Sequence, residues 1–205
     1  MFVGHYAAAM AAKAIEPKAP MWTLIGAAQL VDIGWAVFIM TGVERASIDP
    51  TLPGSTLVLE HMPWTHSLPM AWLWSLGAAV LVKLLLRLPV WASIVVGLTV
   101  FSHWALDWLV HRPDLELWVG GPRVGLALWN YPVPEQAIEI GLIALCGGAW
   151  IAGLARSSSD RRAIAPAARC TSPHVSVSAA ADAPTSTPLR TRMRCVSAPP
   201  NPHQR

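Results

Sequence analysis

Hydrophobic positions in the first three quarters of the chain run in long blocks, not in the alternating or one-faced patterns of soluble strands and helices. Four blocks are long enough to cross ~30 Å of hydrocarbon at ~1.5 Å per residue: about 20–43, 67–86, 88–111 and 135–155. A shorter apolar run, 2–15, ends at Glu16-Pro17 and predicts a helix that enters the membrane only part of the way. Between the second and third blocks the turn is tight. The segments 44–66 and 112–134 are longer, mixed in charge and rich in Pro, Gly and Trp, as expected of loops on the opposite face. The pattern predicts an all-α fold, a polytopic membrane bundle of four transmembrane helices with a short half-inserted N-terminal helix.

Composition agrees. With 54% hydrophobic residues, 13% charged residues and 11 tryptophans, the chain lies outside the usual range of soluble domains. Its formal charge of +3 hides a division. Residues 1–155 hold 7 Lys/Arg against 10 Asp/Glu, and residues 156–205 hold 8 Arg against 2 Asp. That second part is rich in Arg, Ser, Pro and Ala, has no aromatic residue, and predicts a disordered tail. It carries no nucleic-acid-binding motif, so its arginines read as a topology anchor or a contact with anionic lipid. The three cysteines, Cys146, Cys170 and Cys195, have neither the even count of a disulfide framework nor metal-ligand spacing.

Lys13 and Lys18, Lys83 and Arg87, and Arg156, Arg161 and Arg162 all fall at one end of the predicted bundle. The positive-inside rule makes that end, and the tail, cytoplasmic. Converting residue number into height then places the ionisable groups. His103, Asp107 and His111 lie in the outer half of the third span, His66 caps the second, Glu135 and Glu139 open the fourth, and Asp32 sits within the first. His5 points toward the same level, and His61 lies nearby in the loop.

Asp32 and Asp107 set the chemical problem. A carboxylate in a bilayer costs several kcal/mol, so it demands a cation, a basic partner or water. The first span contains neither Lys nor Arg. His103 and Asp107, four residues apart, share a helix face and can hold one ion, and His111 can reach an adjacent one. A divalent metal held by imidazoles and carboxylates meets both demands, and the donor set suits zinc. Blander readings stand beside this one: Asp32 paired with a Ser or Trp donor, Glu135 as a helix N-terminal acid, and the tryptophans as interfacial anchors.

The elements GH at 4–5, Asp32, HMPWTHSL at 61–68, SHWALDWLVH at 102–111 and LWNYPVPEQAIE at 128–139 resemble a bacterial family of membrane-bound, predicted metal-dependent hydrolases that includes a LexA-regulated inner-membrane protein. The resemblance covers about residues 1–155 and implies an integral protein of the bacterial inner membrane. That family is in turn similar to zinc-dependent phospholipases C and single-strand-specific nucleases. The likeness implies a bridging Asp107, a group of Asp32, His66 and His103 around one ion, and His5 and His111 around others; its ion count does not carry over, and the cofactor expected here is divalent metal, zinc by its donor set, one to three ions. His61 is a further candidate ligand.

The function expected is hydrolysis of a lipid or lipid-linked phosphoester reached from the outer leaflet. Asp107, Glu135 and Glu139 are the candidate catalytic groups, and Arg112 and Arg123 the candidates for holding phosphate. Two other classes stay open. One is a metal or proton permeation protein, which needs polar groups continuing to the other face. The other is a non-catalytic protein whose metal only stabilises the bundle.

Overall fold

The structure, a computed structural model, describes residues 3–164, with side chains to residue 158. Five helices follow in order: α1 (His5–Ile15), α2 (Met21–Met40), α3 (Leu68–Leu85), α4 (Val90–Val110) and α5 (Pro132–Ile164). Four of them, α2 to α5, are long and apolar enough to cross a membrane. The eleven-residue α1 is not. This is the predicted helical bundle.

Prolines punctuate it. Glu16 leaves the helical region at φ −128° and ψ 85°, as the residue before Pro17 must, and α1 stops there. Pro20 precedes α2, Pro89 precedes α4, and Pro132 opens α5. No proline intervenes between Pro134 and Pro166, and α5 continues past residue 155 to Ile164. The remainder of the segment expected to be disordered lies outside the described residues.

α4 is the central helix. Half of its spanning window is buried, against a third for α2 and none for α5. It packs on α1, α2 and α3, whereas α5 packs on α1 and on a single 3-10 turn at Leu128–Asn130. The core between α1, α2 and α4 is built from small and β-branched side chains, among them Ala9, Ala28, Ala92, Val96 and Val100. Such residues let helix backbones approach closely where lipid offers no competing hydrophobic drive. Polar side chains inside the bundle close on their own helices: Ser75 donates to the Ala71 carbonyl at 2.6 Å and Thr99 to that of Val95 at 2.9 Å.

The two longer loops are more ordered than the sequence pattern suggested. Segment 44–66 forms an antiparallel hairpin, β1 (Arg45–Ile48) with β2 (Leu57–His61), and segment 112–134 forms a smaller one, β3 (Leu115–Glu116) with β4 (Arg123–Val124). Leu59, Met62 and Leu115 make a second small core beneath them, joined by Trp35 of α2. The cap is tied to the bundle through the backbone: Leu126 donates to the Trp108 carbonyl at 2.9 Å and Ala127 to that of His111 at 2.7 Å. Gly125, at φ 154°, makes this possible, because any Cβ there would run into the carbonyl oxygens of His111 and Arg112.

Gly97 marks the closest approach of α3 and α4. A Cβ at that position would stand 2.8 Å from the Ser75 carbonyl oxygen and 3.1 Å from Ala79 Cβ. Backbone cannot swing aside as a side-chain end can. Gly97→Val is therefore expected to cost about 1–3 kcal/mol through overpacking and to lower the melting temperature in detergent. An unchanged melting temperature would show that the two helices have slack at this point.

Candidate metal centre

Three elements and one cap residue deliver the buried histidines and acids to one point. α4 supplies His103 and Asp107 one turn apart, with His111 at its C-terminal cap. α1 supplies His5 from its first turn, α2 supplies Asp32, and His66 stands just before α3. Trp104 of α4 fixes His66 by donating from its indole to the His66 carbonyl at 2.9 Å.

Every imidazole turns its Nε2 inward. Asp107 Oδ1 faces His5 at 3.2 Å and His111 at 3.9 Å. Its other oxygen, Oδ2, faces His103 at 3.1 Å and His66 at 3.5 Å. Asp32 Oδ1 stands 3.3 Å from His103 and 3.8 Å from His66. Asp107 is 2% exposed, so this carboxylate depends on its partners for charge compensation.

The outward nitrogens explain the arrangement. His103 Nδ1 sits 3.0 Å from the Ala28 carbonyl, which can only accept. His111 Nδ1 sits 3.2 Å from Asp114 Oδ1, and Asp114 also accepts from the Leu59 amide. His66 Nδ1 lies 2.7 Å from the Thr65 hydroxyl, which itself donates to Glu44 at 2.6 Å and so accepts from the ring. Each of these three rings thus carries a proton on Nδ1. Second-sphere acceptors of this kind are what hold metal-binding histidines in the tautomer that presents a free Nε2.

A divalent ion fits this donor set. Tetrahedral zinc with ~2.0–2.1 Å bonds sets its ligand atoms roughly 3.3 Å apart, and the shortest separations here are 3.1, 3.2 and 3.3 Å. Two overlapping groups result, His5 with His103 and Asp107, and Asp32 with His66 and His103, the donor atoms of each lying within 4.8 Å of one another. His103 Nε2 is buried with no properly directed hydrogen bond. His5 and His103 are stacked at 3.8 Å and 10°, a poor arrangement for two imidazolium cations and an unstrained one for two neutral rings.

Other residues singled out from the sequence lie elsewhere. His61 ends β2, is 41% exposed and pairs with Glu116 at 3.2 Å. A turn at 63–65 separates it from His66, so the five-residue spacing creates no shared face. Glu139 accepts a hydrogen bond from the Gly4 amide, which steadies the start of α1 beside His5. Neither Glu139 nor Glu135 lines the cavity at the centre. Arg112 is engaged with the Asn130 side chain at 2.8 Å and the Pro53 carbonyl at 2.7 Å, and Arg123 with the Glu60 carbonyl at 2.6 Å. Both arginines brace the cap. In turn, Glu44, Thr65 and Asp114 hold the ligand rings although no pattern singled them out. Only Asp114, three residues after His111, had a spacing that pointed to it.

A family model described as the YdjM inner membrane protein matches residues 1–177. The chain belongs to the YdjM inner membrane protein family. It is accordingly an integral inner-membrane protein, as its four apolar helices require. No curated protein and no solved structure matches it. Within this YdjM-family chain the matched region contains every residue of the centre and of the acceptors around it.

The outward acceptors give a test that separates positioning from coordination. Glu44→Gln and Asp114→Asn should each weaken zinc binding by about 10–100-fold, read by competition with a chromogenic chelator. His61→Ala should leave the affinity at the wild-type value. Loss of zinc in His61→Ala, or none in Glu44→Gln, would show that the centre is organised differently.

Proposed function

We propose that this protein is a membrane-embedded, metal-dependent hydrolase of phosphoester lipids or lipid-linked phosphoesters. One observation carries the reading. The carboxylates and imidazoles of the centre form one wall of a cavity of about 630 Å³ whose remaining wall is largely apolar, including Ile33, Trp35, Leu57 and Met62. A structural metal site closes on itself, whereas this one faces space large enough for a substrate.

His5, Asp32, His66, His103, Asp107 and His111 would hold divalent metal, which when bound would supply positive charge and Lewis acidity toward water and a phosphoryl group. The chain contributes the rest. Asp107 turns one oxygen to His5 and His111 and the other to His66 and His103, so it would contribute a carboxylate oxygen to each donor group. Asp32, a quarter exposed, is the acid that reaches the cavity most openly. Tyr6 and Gln29 line the same space and are the polar side chains beside which a phosphate would sit. Trp129, its ring 4.0 Å from that of His111, covers the outer side and restricts water. Lys13, Lys18, Lys83, Arg87 and Arg156 lie at the opposite end of the bundle, which supports a site facing the outer leaflet.

Permeation is the weaker reading. Below the centre, toward the basic end, the interior is filled by Leu24, Ala27, Val31 and Val96, all buried and apolar. The buried Thr23 and Ser93 hydroxyls are taken up by the Pro20 and Pro89 carbonyls. Among the described residues no polar path continues from the centre to that end.

Purified in detergent and loaded with zinc, the protein is expected to cleave phospholipids or aryl phosphodiesters, and a chelator should abolish turnover. Asp107→Ala should lose metal and reduce kcat/KM by about 10³-fold or more, equivalent to ~4 kcal/mol of transition-state stabilisation. Full metal occupancy in the wild type with no hydrolysis across a phosphoester panel would sink this reading in favour of a metal-stabilised scaffold.

A further inference from the structure

α2 and α3 both lean on α4 and hardly touch each other, which leaves a furrow between them. Its volume is about 640 Å³, and apart from Thr23 and a tryptophan at each end its walls are aliphatic, thioether or glycine. From Trp22 to Ile33 it climbs about 16 Å at 1.5 Å per residue, close to half of a ~30 Å hydrocarbon core. Ile33 lines both this furrow and the cavity at the metal centre, and it adjoins Asp32 in sequence. The furrow and the cavity thus share a wall at that residue.

Two glycines set its width. A Cβ on Gly26 or on Gly77 would meet nothing within 4 Å, and neither residue has a positive φ. Gly97 answers to close packing against α3, whereas Gly26 and Gly77, like Gly141, Gly148 and Gly153 of α5, meet no neighbour of that kind. Among the described residues nothing packs on Gly26 or Gly77. In α2 and α3 their missing side chains leave the floor of the furrow open.

We infer that the furrow is a binding channel for the hydrocarbon chain of a lipid whose phosphoester head occupies the metal-centre cavity; the identity of that head rests on the hydrolase reading. A flexible chain fits the observations better than a transmembrane helix of a second copy. A helix would cover the furrow without entering the cavity, whereas a chain attached to a head group passes from one to the other at Ile33. The substrate class is then a lipid with at least one long hydrocarbon tail. Tail length is read between Ile33 and Trp22.

The test uses the full chain, zinc-loaded, in nanodiscs containing phosphatidylglycerol with a diazirine at the end of one acyl chain. After irradiation, peptide mapping should place adducts at Leu73 and Leu81 in excess of those on the lipid-facing Ile140 and Leu145 of α5. Gly26→Leu/Gly77→Leu, which fills open space, should retain its zinc and its melting temperature and lose that excess. In turnover, the same variant should raise KM for a long-chain substrate relative to a short-chain one by about tenfold, the discrimination an apolar pocket exerts over a methylene or two. Equal labelling of furrow and α5, or an unchanged pattern in the variant, overturns the channel. A wild-type dimer in native mass spectrometry that dissociates in the variant also overturns it, because a second copy then fills the furrow. Labelling reads occupancy and not chemistry, so an excess at Leu73 and Leu81 without any turnover upholds the channel and defeats the hydrolase.

Discussion

A carboxylate buried at membrane depth organises this molecule. Asp107 is enclosed by α4, α1 and the cap, and its charge is answered by the imidazoles of His5, His66, His103 and His111. Removing a single partner from such a group leaves an uncompensated charge in a medium that does not tolerate one. The consequence reaches well beyond the site. α1 is too short to span, yet it is held in the bundle, because His5 must reach Asp107 and Gly4 is anchored by Glu139 of α5.

The cap is the second half of the same device. Its hairpins bury Glu44 and Asp114 and bring them behind His66 and His111. Each acceptor orients a ring, and each ring aims a nitrogen at the shared acids. The division of labour is physical: the spanning helices supply depth and a low dielectric, and the cap supplies direction. It also accounts for the engagement of Arg112 and Arg123 with carbonyl and amide oxygens, since they close the loops that carry these acceptors.

Apolar shape gives the centre its surroundings. On one side lies a cavity with Trp35, Met62 and Trp129, and on another the furrow between α2 and α3, the two sharing a wall at Ile33. The glycines differ in surroundings: a neighbouring backbone crowds Gly97, whereas a Cβ on Gly26 or Gly77 would meet nothing within 4 Å.

The spans and the convergence of His5, Asp32, His66, His103, Asp107 and His111 were legible in the chain alone, because rise per residue turns an apolar block into a length and a residue number into a depth. A carboxylate at that depth also demands a partner whatever the fold. His61, Glu135 and Glu139 illustrate where this logic ends. All three share the height of the centre, but height is one coordinate, and the direction in which a side chain points around the bundle axis follows from which helices pack on α4. Glu44 was decided only in three dimensions, since the fold brings it from 21 residues away to the Thr65 hydroxyl behind the His66 ring, whereas Thr65 and Asp114 lie beside His66 and His111 in the chain itself. The furrow, likewise, exists because α2 and α3 each pack on α4 and not on one another, a choice that no local pattern encodes.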